Sequence, residues 1–460
     1  MLFHSTRGKD NNKTFEEILM QGLAKDGGLF MPDYWPEVDL DNLKNLDNFI
    51  DVAKKIVPLF TDSSFTNIEV EHLLDRTWHN FDKKDFIDIF EINESVSILE
   101  LFHGPTAAFK DFGLQLAAAF FNKTLQKQKK TAIVFGATSG DTGSAAIDAC
   151  KEFDLIKTFI LIPEGNMSEI QRKQMTTVHK DNVFPILASG TFDDCQDIVK
   201  RGFNERTFLK DDQYLLAVNS INWVRIIGQI CYYFYVSLKI NNLSSPLNFS
   251  VPTGNFGNVF ACYAASKMGM PLSKIIVAVN SNDILDRFFR NNDYSKEKVN
   301  ETISPSMDIS VASNFERLLY DFYFEGDTKA CSQLYSNFPN SKIEIDSNIW
   351  KKSSQLFISY SSDDKATYEC MKYYFNNFNY VMDPHTAVAA DAVNKLNDKL
   401  DGKTIILSTA DPAKFPLALK NAGLLPSLPN KLSRILDKKE VAHRLSSKDD
   451  SIFEFIKNNN

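Results

Sequence analysis

No run of apolar residues in the sequence is long enough to cross a membrane, and the first residues, MLFHSTRGKDNNK, lack the apolar segment of a secretory leader. Basic residues are also in the minority: 51 lysines and arginines face 59 aspartates and glutamates, which gives a formal net charge of -8. A chain of this charge has no basic footprint for nucleic acid or for an anionic membrane. We therefore expect the protein to bind neither nucleic acid nor a membrane, and predict that it acts on a small molecule.

Cysteine is scarce as well. The six cysteines are spread along 460 residues without any Cys-x-x-Cys pair, so neither a zinc cluster nor a disulfide framework is indicated. Isolated cysteines of this kind are typical of buried thiols in a reducing compartment. We expect a cytoplasmic protein without a bound metal.

The texture of the sequence changes at about residue 93. Residues 14 to 92 are predicted to be mostly helical, beginning with a Thr-x-x-Glu capping signal in TFEEILMQGLA. Beyond them, short β-type runs alternate with helical stretches, which predicts an α/β fold with parallel sheets flanked by helices. The runs are TAIVFGAT, KTFILIP, NVFPILA, LNFSVPT, KIIVAVN and KTIILST. A chain of 460 residues is expected to form two or three domains.

A glycine-rich turn follows one of these runs in PTGNFGNVFACYAASKMG. Gly254 and Gly257 lie between the end of a strand and the start of a helix, where several backbone N–H groups can converge on an anion. Glycine permits the close approach of phosphate oxygens to the backbone. The Lys and Ser/Thr of a nucleoside triphosphate loop are missing, and an ordinary tight connection is the alternative.

A second strand, turn and helix occur in VFGATSGDTGSAAIDA. Thr138, Ser139 and Thr142 offer hydroxyl groups there beside exposed N–H groups, which suits a carboxylate or a phosphate. The glycine spacing is not Gly-x-Gly-x-x-Gly, so a dinucleotide site is only weakly indicated. Simple capping of the helix by Ser139 or Asp141 is the alternative.

Lys110 stands at the start of a long apolar helix in LELFHGPTAAFKDFGLQLAAAFF. Most lysines at such a boundary extend to solvent, but a desolvated amine has a lowered pKa and condenses with an aldehyde. The neighbouring His103 and Asp111 are either acid–base groups or turn and capping residues.

In KTIILSTADPAKFP, Ser408 and Thr409 end another strand. Ligands bind at such strand ends in α/β folds, although a Ser-Thr pair there is often a turn former.

Taken together and in this order, FHGPTAAFKD, GATSGDTGSAA, PTGNFGN and STADPAKFP resemble the threonine synthases, which are fold-type II enzymes that use pyridoxal 5′-phosphate. STRG and AKDGGLFMP near the start, and GTFDDCQDIVK, VNSINWVRI, SNDILDRF, SPSMDI, SNFERLL and DPHTAV further on, extend the resemblance to about residues 2 to 430, and favour the long microbial and fungal branch. It implies an N-terminal domain at 1–92, a catalytic region at 93–430 with a smaller subdomain at about 125–210, and a helical, polar tail at 431–460.

The resemblance also implies roles for individual residues. Lys110 would form the Schiff base with the cofactor, Thr409 would face its pyridine nitrogen with Ser408 alongside, and the substrate's α-carboxylate would lie on the loop from Thr138 to Thr142. Asp141 would contribute its backbone N–H there while its carboxylate turns away. The cradle for the cofactor's phosphate would be Gly254, Asn255, Phe256, Gly257 and Asn258. The sequence departs from the family at Asp411, where a histidine is usual, and at Ala107, where a larger apolar residue is common.

The reaction implied by the resemblance converts O-phospho-L-homoserine and water to L-threonine and phosphate. The leaving phosphate needs cationic or donor groups, for which the candidates are Arg225, Lys414, Asn219 and Ser220. An ordinary surface arginine is the alternative for Arg225.

Three other interpretations remain open from the sequence. A serine/threonine dehydratase or a β-replacement enzyme would share the fold and the cofactor. A nicotinamide-dependent oxidoreductase would use FGATSGDTG as its dinucleotide turn, and a non-catalytic protein would bind the cofactor without turnover. We expect a monomer or a small homo-oligomer.

Overall fold

A computed structural model describes residues 1–83, 86–138, 140–165, 167–425, 427–447 and 450–460. Three β-sheets are present in this part of the chain. Their strands are β1 Phe3–Ser5, β2 Phe30–Pro32, β3 Asp88–Glu91, β4 Val96–Glu100, β5 Thr131–Ala137, β6 Ile156–Pro163, β7 Val183–Ser189, β8 Gln213–Leu216, β9 Leu247–Pro252, β10 Leu272–Val279, β11 Phe357–Ser361, β12 Thr404–Ser408 and β13 His443–Ser446.

Helices separate most of these strands. They are α1 Phe15–Gln21, α2 Leu40–Leu43, α3 Phe49–Ile56, α4 Pro58–Thr61, α5 Asn67–Thr77, α6 Lys110–Gln128, α7 Asp141–Cys150, α8 Glu169–Thr176, α9 Phe192–Glu205, α10 Trp223–Asn241, α11 Gly257–Lys267, α12 Ile284–Asn291, α13 Phe315–Leu318, α14 Thr328–Asn337, α15 Ser347–Lys351, α16 Asp364–Phe378, α17 Pro384–Leu396, α18 Pro416–Asn421, α19 Asn430–Leu436 and α20 Ser451–Asn459. Short 3-10 turns lie at Pro305–Met307, Lys352–Gln355, Asn397–Lys399 and Pro412–Lys414, and a π-helical turn at Leu319–Tyr323.

The regular structure of the N-terminal segment consists mainly of helices, α1 to α5, as its apolar spacing predicts. Thr14 caps α1, and its hydroxyl and the Glu17 carboxylate form the reciprocal hydrogen bonds of a capping box. The predicted capping signal is therefore confirmed. The short antiparallel pair of β1 and β2 was not predicted from the sequence.

The larger sheet has the strand order β11-β10-β9-β12-β4-β3 and is parallel except at its β3 edge. Its central strand β12 is buried along its whole length, which explains why the run KTIILS shows no polar alternation. Because β4, β12 and β9 are parallel, their carboxyl ends meet at one edge. That edge carries the loop before Lys110, the Ser408 and Thr409 pair, and the turn at Gly254.

The smaller sheet is wholly parallel, with the order β13-β7-β6-β5-β8. All six β-type runs predicted from the sequence form strands in one or other of these two sheets. The smaller sheet extends past the predicted subdomain at both edges, because β8 begins at Gln213 and β13 comes from the C-terminal segment. That segment contains the predicted helices and also this additional strand. The domain boundaries at 92 and 430 stay predictions.

The long helices α6 and α10 pack against each other. Every residue of α10 from Trp223 to Leu238 is buried. The two backbones approach closely at Gly113 and Gly228: a Cβ added at Gly113 would lie 3.1 Å from the Cα of Arg225. This contact fixes Arg225 beside the helix that begins with Lys110. Among the described residues, no helix combines the length and the apolar character required to span a bilayer.

Candidate active site

The Lys110 side chain is turned inward, with only 11% of its surface exposed. Its Nζ lies 3.4 Å from Oδ2 of Asp141 and 3.3 Å from Oγ of Ser306. Burial lowers the pKa of the Lys110 amine; the Asp141 carboxylate opposes this shift, and the charges of Lys414 and Arg225 reinforce it. A solvent-exposed lysine is thus excluded, and the amine has the lowered pKa that nucleophilic attack on an aldehyde requires.

The carboxylate of Asp141 does not turn away from the site, so that expectation is wrong. Its Oδ1 lies 2.7 Å from Nζ of Lys414 and accepts a hydrogen bond of 2.9 Å from Nε2 of Gln171. Burial alone would raise the pKa of Asp141, but the ammonium groups of Lys414 and Lys110 lower it well below its ordinary value. The physical reason for the orientation is charge pairing, since two buried amines need a buried anion.

The glycine turn forms a ring of backbone donors at the start of α11. Phe256 adopts a left-handed conformation with φ of 62°, so the chain turns sharply into the helix. Within the described residues the backbone N–H groups of Asn255 and Phe256 form no hydrogen bond, and Gly257 and Asn258, in the first turn, have no intrahelical acceptor. A Cβ on Gly254 would lie 2.8 Å from the carbonyl oxygen of Ser306. The turn therefore has the free N–H groups and the lack of a side chain that an anion cradle requires.

Asn258 adds a buried amide to this cradle. Its Oδ1 accepts hydrogen bonds from the hydroxyls of Tyr232 and Tyr233, which assigns its amide nitrogen as the free end. That nitrogen is buried and has no partner among the described residues. An unpartnered buried donor beside free N–H groups fits an anionic ligand.

The hydroxyl pair at the end of β12 is also buried, with 1% of Ser408 and 5% of Thr409 exposed. The carbonyl oxygen of Thr409 accepts from the backbone N–H of Phe109 at 2.8 Å, which ties Thr409 to the residue before Lys110. The Ser408 hydroxyl lies 3.1 Å from that of Thr386, whereas the Thr409 hydroxyl has no hydrogen bond to the described residues. Thr409 therefore has a hydroxyl available to a ligand.

The second glycine-rich turn is held by its own threonine. The Thr138 hydroxyl accepts from the backbone N–H groups of Gly140 and Gly143, at 3.0 and 2.9 Å. Gly140, rather than Asp141, is the N-cap residue of α7. Ser139 lies outside the described residues, and Thr142 is half-buried. The Thr138 hydroxyl thus shapes the loop while Asp141 presents its carboxylate to Lys110.

The candidates for the leaving phosphate differ in burial. Arg225 is 4% exposed, so a surface arginine is excluded; its Nη1 donates to the Val218 carbonyl at 3.0 Å, and its Nε has no partner among the described residues. Burial lowers the pKa of Arg225 to about 10, which leaves it charged at neutral pH.

The other candidates for the leaving phosphate are Asn219, Ser220 and Lys414. Asn219 is exposed, and the Ser220 hydroxyl accepts a hydrogen bond from the Asn314 amide at 3.1 Å. Lys414 is fully buried and donates to the Thr106 carbonyl at 2.7 Å.

Three residues near the site stabilise turns. Asp111 accepts from the backbone N–H and hydroxyl of Thr106, and His103 pairs with Glu100 at 2.9 Å, so both are turn residues. Asp411, in the position of the family's usual histidine, caps the turn that carries Lys414 by accepting from the Ala413 N–H at 2.9 Å.

Sequence reasoning missed several neighbours of the site. Ser306 and His385 lie in SPSMDI and DPHTAV, segments that carry the family resemblance but were given no role. Asn314 likewise lies in SNFERLL, another segment of the resemblance without an assigned role. Gln171 had no signal, because a lone amide in a helical segment is indistinguishable from a surface residue.

Comparisons with known proteins extend over nearly the whole chain. Residues 91–333 match a family of pyridoxal-phosphate dependent enzymes, residues 2–78 match the threonine synthase N terminus, and residues 386–456 match the C-terminal region of threonine synthase. A threonine synthase of Pseudomonas aeruginosa is 40% identical over 445 residues, covering 96% of this chain and 94% of the relative. That of Saccharomyces cerevisiae is 40% identical over 457 residues, covering 92% and 89%.

Solved structures agree with these sequence relatives. The crystal structure of a threonine synthase of Brucella melitensis with bound pyridoxal phosphate superposes with a TM-score of 0.95 at 35% identity, covering 100% of this chain and 99% of the other. The expected fold-type II architecture is confirmed. The chain belongs to the threonine synthase family of pyridoxal-phosphate dependent enzymes.

Proposed function

We propose that this enzyme uses pyridoxal 5′-phosphate to convert O-phospho-L-homoserine and water to L-threonine and phosphate. The observation that carries the proposal is the buried Lys110 amine beside the Ser306 turn, which itself packs against the glycine cradle at Gly254. An amine with a lowered pKa, a phosphate cradle and a free hydroxyl at a strand end are the three groups that this cofactor needs.

The residues present fit the cofactor at each of its ends. The free N–H groups from Asn255 to Asn258 and the unpartnered Asn258 amide would hold its phosphate. Lys110 would hold its aldehyde carbon, and the Thr409 hydroxyl would donate to its pyridine nitrogen. When bound, the cofactor supplies an electron sink for charge at the substrate's Cα.

The work of the protein is then the binding of substrate and the movement of protons. The Lys110 amine, released when substrate takes its place, would accept the proton from Cα and return protons further along the substrate. The Asp141 carboxylate, 3.4 Å away, stabilises the ammonium that forms at each such step. The α-carboxylate would bind at the N-terminus of α7, on the loop from Thr138 to Thr142.

Arg225 is the group best suited to the leaving phosphate. It is buried, it keeps its charge because the pKa falls only to about 10, and its Nε has no partner among the described residues. A desolvated guanidinium binds phosphate oxygens in a geometry that a lysine does not reproduce. The Asn219 amide and the Ser220 hydroxyl, just before α10, are the other nearby candidates.

The proposal is tested by measuring threonine and inorganic phosphate together from O-phospho-L-homoserine. Equal amounts of the two products are expected from the wild type and none from Lys110→Ala. Borohydride should fix the cofactor to the wild type and leave the Lys110→Ala chain unlabelled. Release of ammonia from threonine without phosphate chemistry would instead identify a dehydratase, the alternative that shares this fold, and would contradict the proposal.

We also propose a cytoplasmic monomer or small homo-oligomer. The six cysteines are free and buried, which is typical of a reducing compartment. Sedimentation of the purified chain tests the oligomeric state.

A further inference from the structure

A buried carboxylate outside the cofactor-binding residues joins both sides of the site. Asp383 is fully buried at the N-cap of α17 and has no cationic side chain against it among the described residues; the groups that donate to it are His385 and Thr386. Each of its two oxygens contacts one of these residues. The carboxylate therefore accepts hydrogen bonds from two separate chains of hydrogen-bonded groups, one at each oxygen.

The first chain leads to the amine. Nδ1 of His385 lies 2.7 Å from Oδ1 of Asp383, and Nε2 accepts a hydrogen bond of 3.1 Å from the backbone N–H of Ser306. Because Nε2 is an acceptor, the ring proton is assigned to Nδ1, where Asp383 receives it. Ser306 in turn places its hydroxyl 3.3 Å from Nζ of Lys110.

The second chain leads to the hydroxyl pair. The Thr386 hydroxyl donates its only proton to Oδ2 of Asp383, so its oxygen accepts from its other neighbours. Those are the Ser408 hydroxyl at 3.1 Å and the backbone N–H of Thr409 at 3.3 Å. The Ser408 proton is thereby used, and the Thr409 hydroxyl is left as the donor to a ligand.

We infer that Asp383 is a positioning residue that fixes the direction of both chains: through His385 and Ser306 it orients the Lys110 amine, and through Thr386 it orients Ser408 and Thr409. The inference rests on the proposed function. A carboxylate suits this role because it accepts at both oxygens, whereas an amide of the same shape would present a donor to one of the two chains. A half-satisfied buried network is costly, so the effect should exceed that of one lost contact.

The test compares two cofactor forms on the full-length chain freed of cofactor. Pyridoxal 5′-phosphate can bond to Lys110, whereas pyridoxine 5′-phosphate has no aldehyde and reports only on the cradle and the ring contacts. Dissociation constants for both are measured by fluorescence titration. The wild type should prefer the aldehyde, and Lys110→Ala should lose that preference; equal binding of both by the wild type would refute the proposed function itself.

The variants separate the two chains. His385→Asn keeps a donor for Asp383 but removes the acceptor for Ser306, and should weaken pyridoxal 5′-phosphate about tenfold, with a smaller effect on the pyridoxine form. His385→Gln can present an oxygen to Ser306 and should recover most of the lost affinity.

Variants of the second chain should affect both cofactor forms. Thr386→Val should weaken the binding of both forms alike, and Thr386→Ser should restore the binding of both. Asp383→Asn should weaken both and also lower the preference for the aldehyde.

A matched control lies on the same helix. Asp391 is buried on α17 and accepts from the Ser362 hydroxyl at 2.5 Å, so Asp391→Asn removes a comparable charge that is not in either chain. It should change neither constant by more than about twofold. The inference is overturned if His385→Asn weakens the two forms equally, if His385→Gln is as weak as His385→Asn, or if Asp383→Asn keeps the wild-type preference.

Discussion

The Nζ of Lys414 lies 2.7 Å from Oδ1 of Asp141, and neither side chain is more than 3% exposed. Asp141 begins α7, which packs with the smaller sheet, whereas Lys414 follows β12 of the larger sheet. The pair therefore joins the two sheets at the site. The other oxygen of Asp141 faces Lys110, and the charge at Lys414 also affects the Lys110 amine.

Opposite shifts of the Lys110 pKa are expected when the two members of this pair are neutralised. The Asp141 carboxylate raises that pKa and the Lys414 ammonium lowers it, against the dominant lowering by burial. Asp141→Asn should thus move the pH at which Lys110 reacts with pyridoxal 5′-phosphate to lower values, and Lys414→Met should move it to higher values. The measurement is the rate of reaction of the cofactor-free chain as a function of pH.

Lys200→Met provides the control for the loss of a lysine charge, because Lys200 is 70% exposed and, in the part of the chain that the structure describes, forms its ion pair with Asp197 at the surface. The rate at which the Lys200→Met chain reacts with pyridoxal 5′-phosphate should depend on pH as the rate of the wild type does. Shifts of the same sign in Asp141→Asn and Lys414→Met would show that the variants act by disturbing the fold and not through charge.

Asp111 predicts a dependence of stability on pH. Burial raises the pKa of Asp111 from 3.8 to about 7. Between these values the native state holds a proton that the unfolded chain has released, so the stability contributed by this group is lost as the pH rises toward 7. Asp111→Asn cannot titrate, so the stability advantage of the wild type over it should shrink by about 2–3 kcal/mol between pH 5 and pH 8.

Urea unfolding at the two pH values measures this change. Asp197→Asn serves as the comparison, since Asp197 is 74% exposed. A wild-type advantage that stays constant or grows with pH would contradict the raised pKa of Asp111.

Gly254 is expected to tolerate no side chain. A Cβ there would lie 2.8 Å from the backbone oxygen of Ser306, a contact that only a shift of the backbone can relieve. Gly254→Ala should therefore weaken the binding of pyridoxine 5′-phosphate by about tenfold or more. At Gly136 the nearest atom to an added Cβ is the Val218 side chain at 3.4 Å, an ordinary contact, so Gly136→Ala is the control. Wild-type affinity in Gly254→Ala would place the phosphate elsewhere.

Arg225 is expected to act on substrate and not on cofactor. Arg225→Lys keeps a charge but loses the planar group, and should raise the KM for O-phospho-L-homoserine about tenfold while the cofactor affinity stays unchanged. Steady-state kinetics and cofactor titration on the same preparation check both halves. An unchanged KM would assign the leaving phosphate to another group.

The sequence was sufficient for the elements that depend on local pattern. The run KTIILS and the Thr14 cap depend on residues near one another in the chain, and both are found as predicted. The resemblance identified Lys110 and the turn at Gly254, and both lie at the same site. Such positions are recognisable because backbone requirements at a turn restrict the residue type.

The remainder depends on contacts between distant segments. Asp141 was expected to turn its carboxylate away, and nothing in GATSGDTGSAA shows that Lys414, far along the chain, pairs with it. Strand β13 was missed because four residues of mixed polarity acquire strand character only by pairing with β7. The direction of the Asp383 hydrogen bonds likewise depends on contacts that only the three-dimensional structure shows.

The Thr409 hydroxyl predicts how the reaction is controlled. It is nearly buried and has no hydrogen bond to the described residues, and a neutral hydroxyl does not stabilise a protonated pyridine nitrogen as a carboxylate would. Thr409→Asp should therefore stabilise a charged ring nitrogen, lower the rate of threonine formation and raise the share of side products. Thr409→Ser, which keeps the hydroxyl, should stay within about threefold of the wild-type rate, since it loses only one methyl group. Threonine, phosphate and 2-oxo acid measured together decide the question, because an unchanged rate and an unchanged product ratio in Thr409→Asp would show that this hydroxyl does not face the nitrogen.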